Sequence, residues 1–406
     1  MNLNMIRLVD QWVGMPLCFL FTLLDRSVQK LSRRKPAADK IKKVLFLKPA
    51  EMGTSVIAYP MLQKAKTLYP EADFYFVAFE ENVAIFVLLT LIPRENIFTI
   101  RTRSIGVLLC DTLKIILKVR KLKIDTVIDL EFFSRYTSLF SYFTGACRRV
   151  GFHRFNSEGL YRGDLMTHQV SFNYYLHVGL SFMSLLYALK YPPGRVPPQE
   201  VLSVDLLKVP KLLLSESGRE NIFKKLRQKN PNISHNSKIV VLSPNSGPWL
   251  PFRNWPLRYY AELSRMLLAA HKDLFIVITG THSAREDSKT LMNEVLDERL
   301  INLAEGTTLK EFMDLLHISR VIVSVDSGPA HFAALTNIGI VCIFGPDTEV
   351  IFSPLSSKAV CLESELACHP CFSPFNARRP NCTQKEKPCL ASITPARVFQ
   401  ETRKFL

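Results

Sequence analysis

Asp326, Ser327, Gly328 and His331 set a carboxylate, a hydroxyl, a glycine and an imidazole within six residues. Just before them, Arg320-Val-Ile-Val-Ser-Val325 is a β-branched run suited to a buried strand, and Asp-Ser-Gly-Pro stops it abruptly. Pro329 suits the first helical position, with Gly328 or Ser327 as cap. His331 then falls in the first turn, beside backbone N–H groups that lack intrahelical partners and carry the positive end of the helix dipole. Such a start binds anions, and the carboxyl end of a parallel strand is where an open α/β sheet places its ligand. The same residues also serve as ordinary caps and core packing in many helices, so spacing alone leaves both readings open.

Other candidates sit on loops of similar kind. Ser243-Pro-Asn245-Ser246 follows the strand-like Lys238-Ile-Val-Val-Leu-Ser243 and runs into Arg253-Asn-Trp-Pro256. Thr279-Gly280 ends the apolar run Leu274 to Thr279, and Glu286 opens the next helix. Near the start, Lys48-Pro-Ala-Glu51-Met-Gly53-Thr54-Ser55 is a glycine-containing loop after Lys43-Val-Leu-Phe-Leu47, with a helix expected from Val56 to Tyr69. Four late cysteines, Cys368, Cys371, Cys382 and Cys389, have the spacing C-x2-C-x10-C-x6-C. Four thiolates so spaced suit a structural zinc or iron ion, with ordinary free thiols as the alternative.

These loops need strands and helices in alternation to hold them, and the chain supplies that pattern from Ile41 onward, which predicts parallel sheets. A chain of 406 residues suggests two domains. Tyr191-Pro-Pro-Gly-Arg-Val-Pro-Pro198 is the best linker. The expected division is residues 40–198, residues 199–365, and a closing segment 366–406 whose last helix returns to the first domain. Residues 1–39 stand apart. Met5, Leu8, Trp12, Met15, Phe19 and Leu23 recur at helical spacing, and Arg26, Lys30, Arg33, Arg34 and Lys35 follow. The charge-free run Gln11 to Leu24 is shorter than the roughly 20 residues of a membrane span, and no Ala-x-Ala cleavage site follows it. An interfacial helix on anionic lipid headgroups, bent at Gly14-Met-Pro16, is the expectation; packing on the protein's own core is the alternative. Lys and Arg exceed Asp and Glu by 52 to 36, a net charge of +16. That balance favours polyanionic partners. No zinc-finger spacing, arginine-rich arm or aromatic RNA-binding signature occurs, so nucleic acid is not expected. Scattered cysteines point to a reducing compartment.

Val325-Asp-Ser-Gly-Pro-Ala-His331, followed by Ala333-Ala334 and Ile343-Phe-Gly-Pro346, resembles the signature of glycosyltransferase family 9, the ADP-heptose:lipopolysaccharide heptosyltransferases. Ser243-Pro-Asn-Ser with Arg253-Asn-Trp-Pro256, Thr279-Gly280 with Glu286, and Asp129-Leu-Glu131 with Arg135 and Arg149-Val-Gly-Phe152 agree with it in order. The resemblance implies an α/β GT-B fold, two Rossmann-like domains facing a central cleft. It implies inverting transfer of a heptose or related sugar from a nucleotide-diphosphate sugar, ADP-heptose foremost, to a lipopolysaccharide-core or other lipid-linked envelope glycan. No cofactor is required on that scheme. Ser243, Asn245, Ser246, Arg253, Thr279, Gly280, Glu286, Asp326, Ser327, Gly328 and His331 would bind the donor, with Glu286 on the ribose hydroxyls and His331 assisting catalysis. Such an enzyme works in the cytoplasm, peripheral on the inner face of the inner membrane. In the family's first loop a Gly-Asp pair carries the general base; the matching positions here are Gly53-Thr54. A threonine hydroxyl is no base near neutral pH, which turns attention to Glu51 and raises the alternative of a catalytically impaired nucleotide- or glycan-binding assembly partner. The cysteine set would hold the basic pair Arg378-Arg379 near the cleft.

Overall fold

In the computed structural model, residues 8–31, 40–155, 159–196, 198, 203–247, 250–376, 382, 384 and 387–406 are described. Contacts divide the chain into two compact units: Met1–Leu207 with Ser373–Arg378, and Lys208–Phe372 with Arg379–Leu406.

Each unit is built on a six-stranded parallel sheet. In the first, β1 (Lys43–Leu47), β2 (Asp73–Phe79), β3 (Ile97–Ile100), β4 (Thr126–Asp129), β5 (Arg148–His153) and β6 (His168–Ser171) lie in the order β3-β2-β1-β4-β5-β6. In the second, β7 (Lys238–Ser243), β8 (Leu274–Ile278), β9 (Leu300–Asn302), β10 (Val321–Val325), β11 (Gly339–Phe344) and β12 (Ala359–Glu363) run β12-β11-β10-β7-β8-β9. Read within its own unit, each sheet has the Rossmann order 3-2-1-4-5-6. Both are α/β doubly wound domains, two Rossmann-like units in one chain. The central strands are buried along their whole length, as β8 and β10 show, because helices cover both faces of a parallel sheet. The order reverses between β1 and β4 and again between β7 and β10. The loops leaving those strands are therefore where a doubly wound sheet opens a ligand crevice, and they carry Lys48 to Glu51, Leu130 and Glu131, Pro244 to Gly247 with Leu250 to Asn254, and Asp326 with Ser327.

Several local expectations change. The helix expected over 56–69 is two helices, Met52–Ile57 and Tyr59–Leu68, since Pro60 has no N–H to continue the first turn ladder and suits the start of the second. Residues 52–55 thus belong to a helix and not to the loop. The short helix after β10 is Gly328–Ala333, so Gly328 takes the first position and Pro329 the second, with Ser327 as N-cap. The edge strands β3 and β6, four residues each, were not read from the sequence. The closing helix, Pro395–Arg403, belongs to the second unit. It packs on the helix Leu257–Ala270, burying Val398, while the Trp255 indole donates to the carbonyl of Ile393 at 2.8 Å.

The amino-terminal helix Met15–Leu31, preceded by a π-helical turn at Asp10–Gly14, docks by its small and polar side. Gly14 closes on Arg135, Cys18 and Thr22 are buried, and Thr22 accepts from the N–H of Asp164 at 3.0 Å. Asp10 pairs with Arg135 at 2.8 Å and Arg26 with Asp164. Phe21 meets Phe143 edge-on at 4.8 Å. The large apolar residues read from the sequence point outward: Trp12 is 68% exposed, Phe19 56% and Leu23 45%. Met5 and the basic residues Arg33 to Lys35 lie outside the described residues. No helix among the described residues is long and apolar enough to cross a membrane.

Candidate functional site

At the reversal point of the second sheet the sequence gathers ionisable groups that burial would normally exclude. Arg253, on a short turn after the β7 loop, is buried with Asp326 from the end of β10, Asp347 from the end of β11, and His331. Its Nη1 donates to the Asp326 carbonyl at 3.2 Å and stands 3.2 Å from Asp326 Oδ2. Its Nε is 2.6 Å from Asp347 Oδ2, but off the N–H direction, so that contact is ionic. The guanidinium lies over the Phe372 ring at 5.2 Å, and His331 Nε2 is 3.8 Å from Asp326 Oδ1.

Two carboxyls on one guanidinium in a dry pocket do not both ionise. Burial raises Asp347 well above the usual carboxylate range, with the Asp326 charge adding to it. Asp326 is lowered despite burial, because Arg253 and then His331 favour its charged form. Arg253 Nε, Asp326 Oδ2, His331 Nδ1 and both Asp347 oxygens have no hydrogen-bond partner. Buried polar atoms left unbonded are costly; five stand together here, and three of them, Arg253 Nε, Asp326 Oδ2 and Asp347 Oδ2, are held by the ion pairs just described.

The supporting loops are tied internally. Asn254 Oδ1 accepts from the Ser246 N–H at 2.8 Å and from its hydroxyl at 2.7 Å. Asn245 Nδ2 donates to the Ser283 carbonyl at 3.2 Å and to Asp287 at 3.0 Å. Ser243 is buried at the end of β7, and the Thr279 hydroxyl donates to the Leu242 carbonyl at 3.3 Å. A Cβ on Gly280 would sit 2.4 Å from that of Ala284, so only glycine lets the chain pass there. Ser327 holds the N-cap position without a side-chain cap bond; its hydroxyl donates back to the Val325 carbonyl at 3.1 Å.

The first unit has its own charged cluster at its reversal point. Lys48 is fully buried at the end of β1, and its Nζ donates to Glu131 at 3.0 Å and to the Ala50 carbonyl at 2.9 Å. The Ala50 N–H also reaches Glu131, at 2.9 Å. Glu51 adopts φ +62°, in the left-handed region that costs a non-glycine residue about 1–3 kcal/mol. That turn sets its carboxylate 3.6 Å from the Lys48 ammonium while leaving it partly exposed. Thr54 is buried, and its hydroxyl donates to the Glu51 carbonyl at 2.8 Å, tying down the strained residue. Asp129 pairs with Arg162, both buried. Arg135 and Arg149 are framework residues: Arg135 donates to the Tyr161 carbonyl at 2.7 Å, Arg149 to that of Leu165 at 2.7 Å.

A profile of the family described as glycosyltransferase family 9 (heptosyltransferase) matches residues 112–380, more than half of the chain. The chain belongs to glycosyltransferase family 9. It is 28% identical over 185 residues to lipooligosaccharide heptosyltransferase 2 of Campylobacter jejuni, covering 44% of this chain and 55% of that protein. It is 28% identical over 222 residues to lipopolysaccharide heptosyltransferase 2 of Salmonella typhimurium, covering 54% of this chain and 60% of the relative. The match thus spans little more than half the length of these curated relatives. Among solved structures, the E. coli ADP-heptose lipopolysaccharide heptosyltransferase II superposes with a TM-score of 0.66 at 21% identity, covering 89% of this chain and 98% of that one. The family 9 glycosyltransferase of Veillonella parvula gives 0.67 at 14%, over 90% and 97%. These structures establish the GT-B fold.

Within the family 9 frame, some expected residues stand apart from the Arg253 cluster. Glu286, on the first turn of the helix Arg285–Val295, has a side chain 80% exposed and pairs with Lys289 at 2.9 Å. Its neighbour Asp287 is the carboxylate that engages the Asn245 loop. Cys368, Cys371 and Cys382 are exposed and Cys389 is buried. Burial, then the neighbouring thiols of the set, raises the thiols of Cys371 and Cys389. Among the described residues no group of three or more His, Cys, Asp or Glu is placed to hold a metal ion, so the geometry does not supply the tetrahedral ligand set expected of this spacing. Arg378 and Arg379 lie outside the described residues. Sequence reasoning passed over Asp347, although Asp directly after Gly345-Pro346 at a strand end was the available signal, and it left Lys48 unread because a lysine at a loop start is ordinarily solvated.

Proposed function

We propose that this chain transfers a heptose, or a related sugar, from an ADP-sugar or other nucleotide-diphosphate sugar to a lipopolysaccharide-core or other lipid-linked envelope glycan, with inversion at the anomeric carbon. The observation that carries the reading is the Arg253–Asp326–Asp347–His331 cluster with its unbonded polar atoms at the reversal point of the second sheet. In the reaction an acceptor hydroxyl forms the new bond to the anomeric carbon as the bond to the diphosphate breaks, and the departing charge is the main electrostatic demand. Arg253, the backbone at Asp326–Gly328, and the loops bearing Ser243, Asn245, Ser246, Thr279 and Gly280 would hold the diphosphate end. A neutral Asp347 has a proton to donate to a phosphate oxygen, and His331 adds a donor. Glu286 would reach ribose hydroxyls by leaving Lys289, a surface pair of small worth. Glu51 takes the acceptor proton on this reading, supported by its strained, partly exposed position beside Lys48; Thr54 serves as its anchor.

The site works at a membrane face, peripheral on the cytoplasmic side, supported by the outward apolar residues of the amino-terminal helix. A structural zinc or iron on the four late cysteines belongs to the same reading on the strength of their C-x2-C-x10-C-x6-C spacing alone; about one ion per chain in protein purified without chelator is the expected analysis. The test of function is release of ADP from ADP-heptose in the presence of lipopolysaccharide core. Asp326→Ala should abolish it, and Glu51→Gln should lower kcat about 10²- to 10⁴-fold with little change in the donor KM. Nucleotide binding without turnover over several sugar donors would instead identify a binding partner that has lost catalysis.

A further inference from the structure

The helix Ile105–Leu122 carries an apolar ladder that its fold does not use. Ile115, Ile116 and Val119 face the sheet, while Leu109, Leu113 and Leu117 are 52%, 62% and 66% exposed. Scattered exposed leucines are ordinary; three at successive i, i+4 positions form one continuous stripe. Along the helix itself the exposed charged side chains are of one sign. Lys114, Lys118, Arg120 and Lys121 are exposed, whereas the helix's only carboxylate, Asp111, is buried and held in two hydrogen bonds by the Arg101 side chain at 2.8 Å each.

This ladder shares a face of the first unit with the amino-terminal helix. The crossovers β3 to β4 and β4 to β5 step in the same direction along the sheet, so their right-handed connections lie on one side of it. The helix Arg135–Phe143 of the second crossover is flanked by both. Thr112 of the ladder helix shares a 2.7 Å hydrogen bond with Tyr136, and Phe21 of the amino-terminal helix packs on Tyr142 and Phe143. None of the nine residues of that middle helix is exposed. The outer surface here therefore belongs to its two neighbours, each presenting large apolar side chains.

We infer that the Leu109–Leu113–Leu117 ladder is a second membrane-contacting surface that seats the first unit on an anionic lipid bilayer together with the amino-terminal helix. The inference rests on the membrane-face reading above and adds to it a site within the catalytic fold. Apolar side chains inserted at the headgroup level with lysines beside them match the two requirements of interfacial binding, buried apolar area and attraction to anionic lipid. A second copy of the chain would be matched poorly, because two such faces bring the same basic rows together.

Two measurements test this on the full chain. Leu109→Gln/Leu113→Gln/Leu117→Gln is compared with wild type and with Trp12→Gln/Phe19→Gln/Leu23→Gln by flotation with phosphatidylcholine vesicles with and without phosphatidylglycerol. The ladder variant should lose at least about tenfold in binding to the anionic vesicles with its melting temperature and ADP binding retained. In a second protein, Leu113→Trp in a Trp12→Phe background, brominated lipid should quench the new tryptophan, whereas Lys118→Trp in the same background should be quenched less. Ladder-variant binding equal to wild type, while the amino-terminal variant loses binding, overturns the inference and leaves the membrane reading standing. Absence of vesicle binding by wild type overturns both. A wild-type dimer that the ladder variant converts to monomer, with vesicle binding unchanged, overturns it in favour of self-association.

Discussion

Arg253 is the residue on which the charged pocket of the second unit depends. It is a buried cation facing two buried carboxyls, so its removal strands charge where water cannot reach. Arg253→Ala should cost about 3–5 kcal/mol of stability, as expected when one partner of a buried pair is lost, read as a fall in the denaturation midpoint, with nucleotide binding lost at temperatures where the fold survives. The two carboxyls act in opposite senses with pH. Asp347 is raised, so the folded state keeps a proton that the unfolded chain releases; its contribution is fully present below the ordinary carboxylate range and fades as pH rises through the raised value. Asp326 is lowered, so its contribution is present above the ordinary range and fades as pH falls through the lowered value. Asp347→Asn mimics the neutral carboxyl, and melting temperature measured against pH should therefore lose the part of its decline that begins above the ordinary carboxylate range, while the acid-side decline remains. An unchanged profile there would show that Asp347 does not hold the proton.

At the scale of elements, close approach of backbone decides what the loops and helices do. The amino-terminal helix reaches the first unit only because the positions it meets are small. Gly163 has φ +74°, and a Cβ there would come within 2.8 Å of the Thr22 hydroxyl and 2.9 Å of the Cys18 carbonyl. Backbone cannot yield as a side-chain tip can, so Gly163→Ala should loosen Met15–Leu31 without unfolding the sheet beneath. Hydrogen exchange is the direct readout: amides of that helix should lose protection, and those of β1 and β4 should keep it. The inversion of the helix, polar and small inward, large and apolar outward, is the reverse of the usual soluble pattern. It explains why a stripe that resembles a core-facing face in the sequence is in fact a surface.

For the whole molecule, the net charge of +16 governs how it meets anionic surfaces. The Debye length shrinks from about 10 Å at 0.1 M salt to about 3 Å at 1 M. Binding to phosphatidylglycerol-containing vesicles should accordingly weaken severalfold over that range and level off above zero, the remainder reflecting apolar insertion. Loss of all binding at high salt would assign the attraction to charge alone. The repeated 3-2-1-4-5-6 order also matters at this scale, for it gives each unit one reversal point and hence one natural place for a ligand.

How much of this was legible beforehand depends on range. β1 and β7 were readable to the residue, since apolar runs are local properties bounded by local breakers. So was the Asp326–His331 turn, whose chemistry lies within six residues. The partnership of Arg253 with Asp326 and Asp347, separated by 73 and 94 positions, follows from the sheet order that brings the ends of β7, β10 and β11 together, and no short-range pattern encodes it. The same holds for burial of Lys48 against Glu131, and for which side of the amino-terminal helix faces water. Sequence alone determined many of the elements, the strand–helix alternation that makes parallel sheets, and the resemblance to the family. Tertiary structure decided which charges are buried together, which of them holds its proton, and which apolar faces are left outside, because desolvation and pairing depend on neighbours that the chain supplies only once folded.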